Sequence, residues 1–228
     1  MRQRNFQGVS LIEMLVSISI ASVLILITIQ VIGRAYANWQ REGTKTELQS
    51  NTKTAVEAVA QVIRSAKSVE AQNSQPDDNA PDPDNPYSWT SATGSGATLI
   101  LAVPASDTSG NIAFIDDTHT SLYTNNIIFY LDATSNILYR RTIANTLVSN
   151  NSAVTTCPPE KSTPTCPTDA KVVADIANLV TTYLDASGSV VATPSGTEAV
   201  RYELSQTRAI GLQTYESSYG TTATLRNK

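Results

Sequence analysis

Three groups of residues in this 228-residue chain have the types and spacing for chemistry. The first is Gly8, Val9 and Glu13, in QGVSLIE. Glu13 lies in an otherwise apolar run from Val9 to Ile32. A carboxylate in such a run costs on the order of 2.5–3.5 kcal/mol on insertion scales, so it needs a partner. Cutting the chain between Gly8 and Val9 would supply one. The new α-amine is cationic and lies about one helical turn from Glu13, where a neighbouring chain's amine could reach the same carboxylate.

The second group is Cys157 and Cys166, in TTCPPEKSTPTC. An even pair flanked by proline turns suits a short disulfide loop in an oxidising compartment, with free thiols as the alternative. Zinc fails on ligand count, because the only histidine, His119, is remote in sequence. The third group is Asp77, Asp78, Asp82 and Asp84, in a loop rich in Pro, Asp and Asn. Clustered carboxylates suit a hard cation such as calcium, but their spacing is not that of a helix-loop-helix calcium site. A solvated acidic loop is the favoured reading, and no cofactor is assigned.

Catalytic signatures do not stand out. The sequence has no Gly-rich phosphate loop, no GxSxG elbow and no histidine pair at metal spacing. His119 falls in the polar turn DDTHTS and reads as a surface side chain. The chain is therefore expected not to be an enzyme.

The elements that position these groups follow from hydropathy. Residues 1–8, MRQRNFQG, read as a short basic leader. A helix over 9–32 spans about 36 Å, enough to cross a bilayer. Arg2 and Arg4 before it keep the N-terminus cytoplasmic and send the rest of the chain outward. A secretory signal peptide would place its small-residue cleavage site after the apolar run, whereas Gly8 precedes it.

Over 33–70 the pattern turns amphipathic, with Leu48, Ala55, Val59, Val62, Ile63 and Ala66 mostly three or four residues apart. Gly33 and Gly43 mark points where this helix could bend. A Pro/Asp-rich loop follows over 71–97, and 98–228 reads as a β-rich globular head. ATLILAVPA, NNIIFYLDA and NILYRRTIA are strand-like, and the last two form a hairpin turning around Asp132–Asn136. Phe129 and Tyr130, adjacent in a strand, fall on opposite faces of the sheet. VVADIANLVTTYLDASG reads as a helical turn or a strand, and SVVATPSGTEAVRYELSQTR as hairpin strands. The fold class is α+β: one long transmembrane and amphipathic N-terminal helix carrying a mostly antiparallel sheet.

Charge narrows the partners. Losing Arg2 and Arg4 with a leader takes the net charge from −4 to −6, since two of 16 basic side chains go while the 20 acids stay. No dense Lys/Arg run marks a duplex-binding stripe.

QG followed by VSLIEMLVSISI resembles the signal of type IV pilins and type II secretion pseudopilins. The resemblance implies a membrane-embedded prepilin peptidase that cuts after Gly8, N-methylation of Val9, and an assembly role for Glu13. That family usually begins with Phe and Thr, where this chain has Val9 and Ser10. Tyr130–Arg141, Tyr183–Gly188 and the ending Leu225–Asn227 further resemble W-type minor pilins and J-type pseudopilins.

The function implied is that of a minor pilin that primes or caps a type IV pilus, a fimbrium at the cell surface. A J-like pseudopilin of type II secretion and a pilus-displayed DNA-uptake or adhesion module are the alternatives. Implied partners are other major and minor pilins, the inner-membrane assembly platform and, before assembly, the membrane; nucleic acid is left open. The implied location is the cytoplasmic membrane, single-pass with the head outside, and then an extracellular pilus or periplasmic pseudopilus.

Overall fold

A computed structural model describes residues 10–116, 118–211 and 213–226. One helix, α1 (Leu11–Ser65), is followed by strands β1 (Ser68–Val69), β2 (Gly94–Ser95), β3 (Leu99–Pro104), β4 (Thr124–Asp132), β5 (Ile137–Ile143), β6 (Ala170–Val173), β7 (Ile176–Leu184), β8 (Val190–Val191), β9 (Ala199–Ile210) and β10 (Gln213–Thr224). The chain divides into two units, one ending at Thr46 and one beginning at Glu47.

In the first unit, α1 is apolar and exposed, from Leu11 at 77% to Ile32 at 62%. Three hydroxyls of its apolar stretch are satisfied within the helix. Ser19, Ser22 and Thr28 each donate to the carbonyl four residues back at 2.8 Å, which removes their cost in apolar surroundings. Gly33 and Gly43 are both helical. The expected weak points do not break the helix, since a glycine costs only about 1 kcal/mol relative to alanine.

The second unit begins with the rest of α1. Leu48, Thr52, Ala55, Val56, Val59, Ala60 and Ile63 are buried at helical spacing and form one stripe. The helix ends at Ser65, short of residue 70. Beyond it Lys67 donates its backbone N–H to Ala102 O at 2.8 Å, and Ser68 and Val69 pair with β3. Sheet pairing satisfies the same backbone groups that another helical turn would.

The strands form two antiparallel sheets, ordered β1-β3-β4-β5-β6 and β10-β9-β7-β2, with β8 on β7. Residues from both sheets join the helix stripe in the main core: Leu99, Leu101, Phe129 and Leu138 from the first, and Leu179, Tyr183, Tyr202 and Leu204 from the second. VVADIANLVTTYLDASG supplies the end of β6 and all of β7, with a break at Ala174–Asp175 where the chain passes from the first sheet to the second. The hairpin expected at Asp132–Asn136 forms, with Asp132 paired to Ile137 and Asn136 at φ 53°.

The first sheet is apolar on both faces. Ile100, Ile128 and Ile143 point away from the helix side and join Ala80 and Trp89 in a second cluster, with Tyr130 packed on it. This explains why LILAV is a continuous apolar run, as expected of a strand covered twice. Phe129 and Tyr130 do lie on opposite faces. The outer cover is supplied by 71–97, which holds β2, a Gln72–Thr90 bridge and the buried Asn73, Asp77, Ala80 and Trp89. Pro- and Asp-rich sequence here is a packed layer.

Candidate functional sites: the head of the apolar helix and a clamped cleft

At the start of α1, Ser10 occupies the cap position. Its carbonyl accepts the first helical bond, from Met14 N at 3.1 Å. Glu13, the third helical residue, turns back so that its Oε2 accepts the Ser10 N–H at 2.9 Å. This is the glutamate half of an S-x-x-E capping box, which satisfies one of the orphan donors of a helix start. The carboxylate also complements the positive end of the helix dipole. The Glu13 carboxylate is thereby held on the backbone N–H of Ser10, the residue that follows Val9 in sequence. Gly8 and Val9 themselves lie outside the described residues.

This carboxylate heads a helix whose 18-residue window reaches a mean hydropathy of 2.6 with none of that window buried. Such a surface requires a cover, either lipid or other helices. Residues 3–29 match the family described as the prokaryotic N-terminal methylation motif. The chain carries a type IV pilin-type prepilin signal. No curated protein matches the chain. The match covers residues 3–8 of the segment before the apolar run, Glu13 and most of that run. It makes the chain pilin-like or pseudopilin-like at its N-terminus, and it fits anchoring in a membrane before assembly.

In the second unit, the acidic loop takes a role that its sequence did not announce. Asp77 is buried and sits on Arg141 of β5, which is fully buried. Arg141 Nε donates to Asp77 Oδ2 at 2.7 Å and its terminal nitrogen to Oδ1 at 2.6 Å. The other terminal nitrogen donates to Asp169, at 3.2 Å to Oδ2. Asp77 Oδ1 and Oδ2 also accept from Asn79 N at 2.9 Å and Trp89 Nε1 at 2.7 Å. Asp169 accepts from Tyr130 O–H at 2.8 Å and from the Thr156 hydroxyl. Burial alone would lower the arginine's pKa, but the hydrogen bonds and charge of Asp77, joined by Asp169, outweigh it and raise it. Burial, then the bond to Asp169, pushes the Tyr130 hydroxyl well above its ordinary range, so it remains a donor.

The four aspartates considered for calcium are thus dispersed in role. Asp77 has both oxygens engaged in the clamp, and Asp78 is exposed. Asp82 Oδ1 accepts the Asp84 N–H at 3.0 Å in an exposed turn. Among the described residues no three His, Cys, Asp or Glu side chains are arranged to hold a metal ion. His119 is exposed, with φ 57°, and sets its ring edge-on to Phe114 at 4.4 Å between centroids.

Cys157 and Cys166 form a disulfide, with Cα atoms 5.6 Å apart. The loop it closes holds a short 3-10 turn, Pro159–Lys161. Its base is tied to the clamp twice. Asp169 N donates to Cys157 O at 2.7 Å, and Asn79 Nδ2 approaches Cys157 Sγ at 3.2 Å. The covering loop and the disulfide loop are therefore fastened to the same face of the first sheet.

Sequence reading missed Arg141 and Asp169. The signal was in NILYRRTI: alternation puts Arg140 on the face of Leu138 and Arg141 on the face of Tyr139 and Ile143. With both faces apolar, one arginine had to find buried carboxylates.

Proposed function

We propose that the chain is a minor pilin: a precursor cut after Gly8, methylated on the Val9 nitrogen, and inserted by its apolar helix into a type IV pilus. The observation that carries this reading is Glu13 folded back on the Ser10 N–H at the head of an exposed apolar helix, inside the matched signal. After cleavage the α-amine stands one residue from the donor that Glu13 already accepts. The pair replaces an uncompensated charge in hydrocarbon with a neutralised one. Methylation leaves that nitrogen basic, so the charge is kept.

The same carboxylate can serve the amine of an arriving subunit. A subunit moving out of the bilayer exchanges lipid for neighbouring helices around its apolar surface. A helix placed off register would leave Glu13 unpaired, at a cost of several kcal/mol. Charge pairing thus sets the axial position, and apolar packing holds it. The minor role, rather than that of the bulk subunit, is supported by the resemblance of Tyr130–Arg141 and Tyr183–Gly188 to W-type heads.

The test is intact and N-terminal mass spectrometry of the chain co-expressed with and without a prepilin peptidase. Peptidase-dependent loss of residues 1–8 with one added methyl on Val9 is the expected result. An intact N-terminus in both strains would sink the reading. Labelling the processed chain on sheared external filaments, as against the periplasm, separates a pilus from a secretion pseudopilus.

A further inference from the structure

Between the two fastened loops the head holds a concavity of about 590 Å³. Three aromatic rings line it. Trp89 and Tyr130 are tilted at 46° with centroids 5.1 Å apart, and Tyr130 and Tyr139 stack at 26° with centroids 5.7 Å apart. Tyr130 and Tyr139 are cross-strand partners, so the sheet fixes their spacing. Pro159 and the carboxylate-bearing Asp132 and Glu160 also line it.

The charged side chains that line this cleft, Asp132 and Glu160, are both acidic. No Lys or Arg side chain lines it, Lys161 included. Two of its rings are hydrogen-bonded to buried carboxylates, Trp89 Nε1 to Asp77 and Tyr130 O–H to Asp169. The network behind them has two carboxylates against the single guanidinium of Arg141. Donation to an anion shifts electron density into a ring and makes its face more negative. Aromatic faces of this kind attract cations, most strongly where solvent is excluded. The cleft is also preformed, since the ion network and the disulfide hold its walls.

We infer that the cleft bounded by Trp89, Tyr130, Tyr139 and Glu160 is a binding site for an organic cation of the trimethylammonium class. Its apolar methyls suit the rings, and its diffuse charge needs no directional hydrogen bond from the site. Free choline and a phosphocholine group borne on a larger molecule present the same face.

The full-length chain, in an uncharged ether detergent and with Trp39 replaced by Phe, is titrated with choline chloride against sodium chloride of equal ionic strength. Trp89 fluorescence is the readout. Choline is expected to give a saturable change. Its neutral isostere 3,3-dimethylbutan-1-ol is expected to bind at least about tenfold more weakly. Tyr139→Leu should weaken choline binding about tenfold. Glu160→Gln, an exposed change that leaves the fold intact, should weaken it about two- to fivefold. Phosphocholine binding as well as choline would point to a carried group, and weaker binding to the free cation. Equal binding of choline and its isostere overturns the inference, and so does the lack of saturation up to about 100 mM.

Discussion

Asp77 and Arg141, 64 residues apart in the chain, meet through two short bonds at 2.6 and 2.7 Å with both side chains shut off from solvent. The pair turns a segment rich in proline and aspartate into the outer layer of the first sheet. Breaking one side leaves a buried charge. Asp77→Ala should lower stability by about 3–5 kcal/mol. Replacing Asp77, Arg141 and Asp169 together with Leu, Met and Leu should recover part of that loss, because no charge is then stranded although the Trp89 and Tyr130 donors lose their acceptors. Denaturant melts followed by circular dichroism measure both. A single-site loss below about 1 kcal/mol would contradict the clamp.

The disulfide closes a short loop, so its effect is local and modest. Cys157→Ser with Cys166→Ser should cost about 2–3 kcal/mol on the loop-entropy scale. The shift in denaturation midpoint, compared with that of the wild-type chain under reductant, checks it. The two should agree, since both remove the same constraint.

Alkaline pH should unfold the head through its tyrosines. Tyr130, Tyr183 and Tyr202 have hydroxyl pKa values raised, in each case first by burial. A raised folded value means that the unfolded chain gives up the proton first. Their contribution is therefore complete below about pH 10 and declines as pH rises from there toward the folded values. Each contributes a slope of about 1.4 kcal/mol per pH unit in that window. Absorbance of tyrosinate and loss of ellipticity should rise together; tyrosinate forming in the folded head near pH 10 would count against it.

Glu13→Gln separates capping from charge. Glutamine can still accept the Ser10 N–H, so helix initiation persists, but it cannot neutralise an amine. On the proposed pilin reading, the variant should be cut after Gly8 as usual. Its incorporation into filaments should fall at least about tenfold, the equivalent of roughly 1.4 kcal/mol of lost pairing. Quantitative blotting of sheared filaments against whole cells gives the ratio, and wild-type incorporation would remove Glu13 from assembly.

Some of this was legible in the residues and some was not. LIE after Gly8, the apolar run, the Asp132–Asn136 turn and the cysteine pair all follow from local chemistry, and the helix, hairpin and disulfide are where that chemistry puts them. The end of α1 was less visible, because Ser68 and Val69 are drawn into a sheet edge by residues more than 30 positions away. β10 was missed altogether. QTYESSYGTTAT is polar and has little alternation, yet it pairs with β9 along its whole length. The clamp was hidden for a similar reason, since four aspartates in one loop look alike until a buried arginine selects Asp77.

The covering layer gives the head a kinetic asymmetry. Asp77 can shed its water only when Arg141 is already on the sheet and Asp169 has come round beside it, so the clamp is expected to close after the main barrier to folding. Late contacts leave the folding rate nearly untouched and govern how long the native state survives. Conservative changes in the clamp should therefore steepen escape from the folded state, visible on the unfolding limb of a chevron. The lifetime of the folded head is then set by the last latch to close.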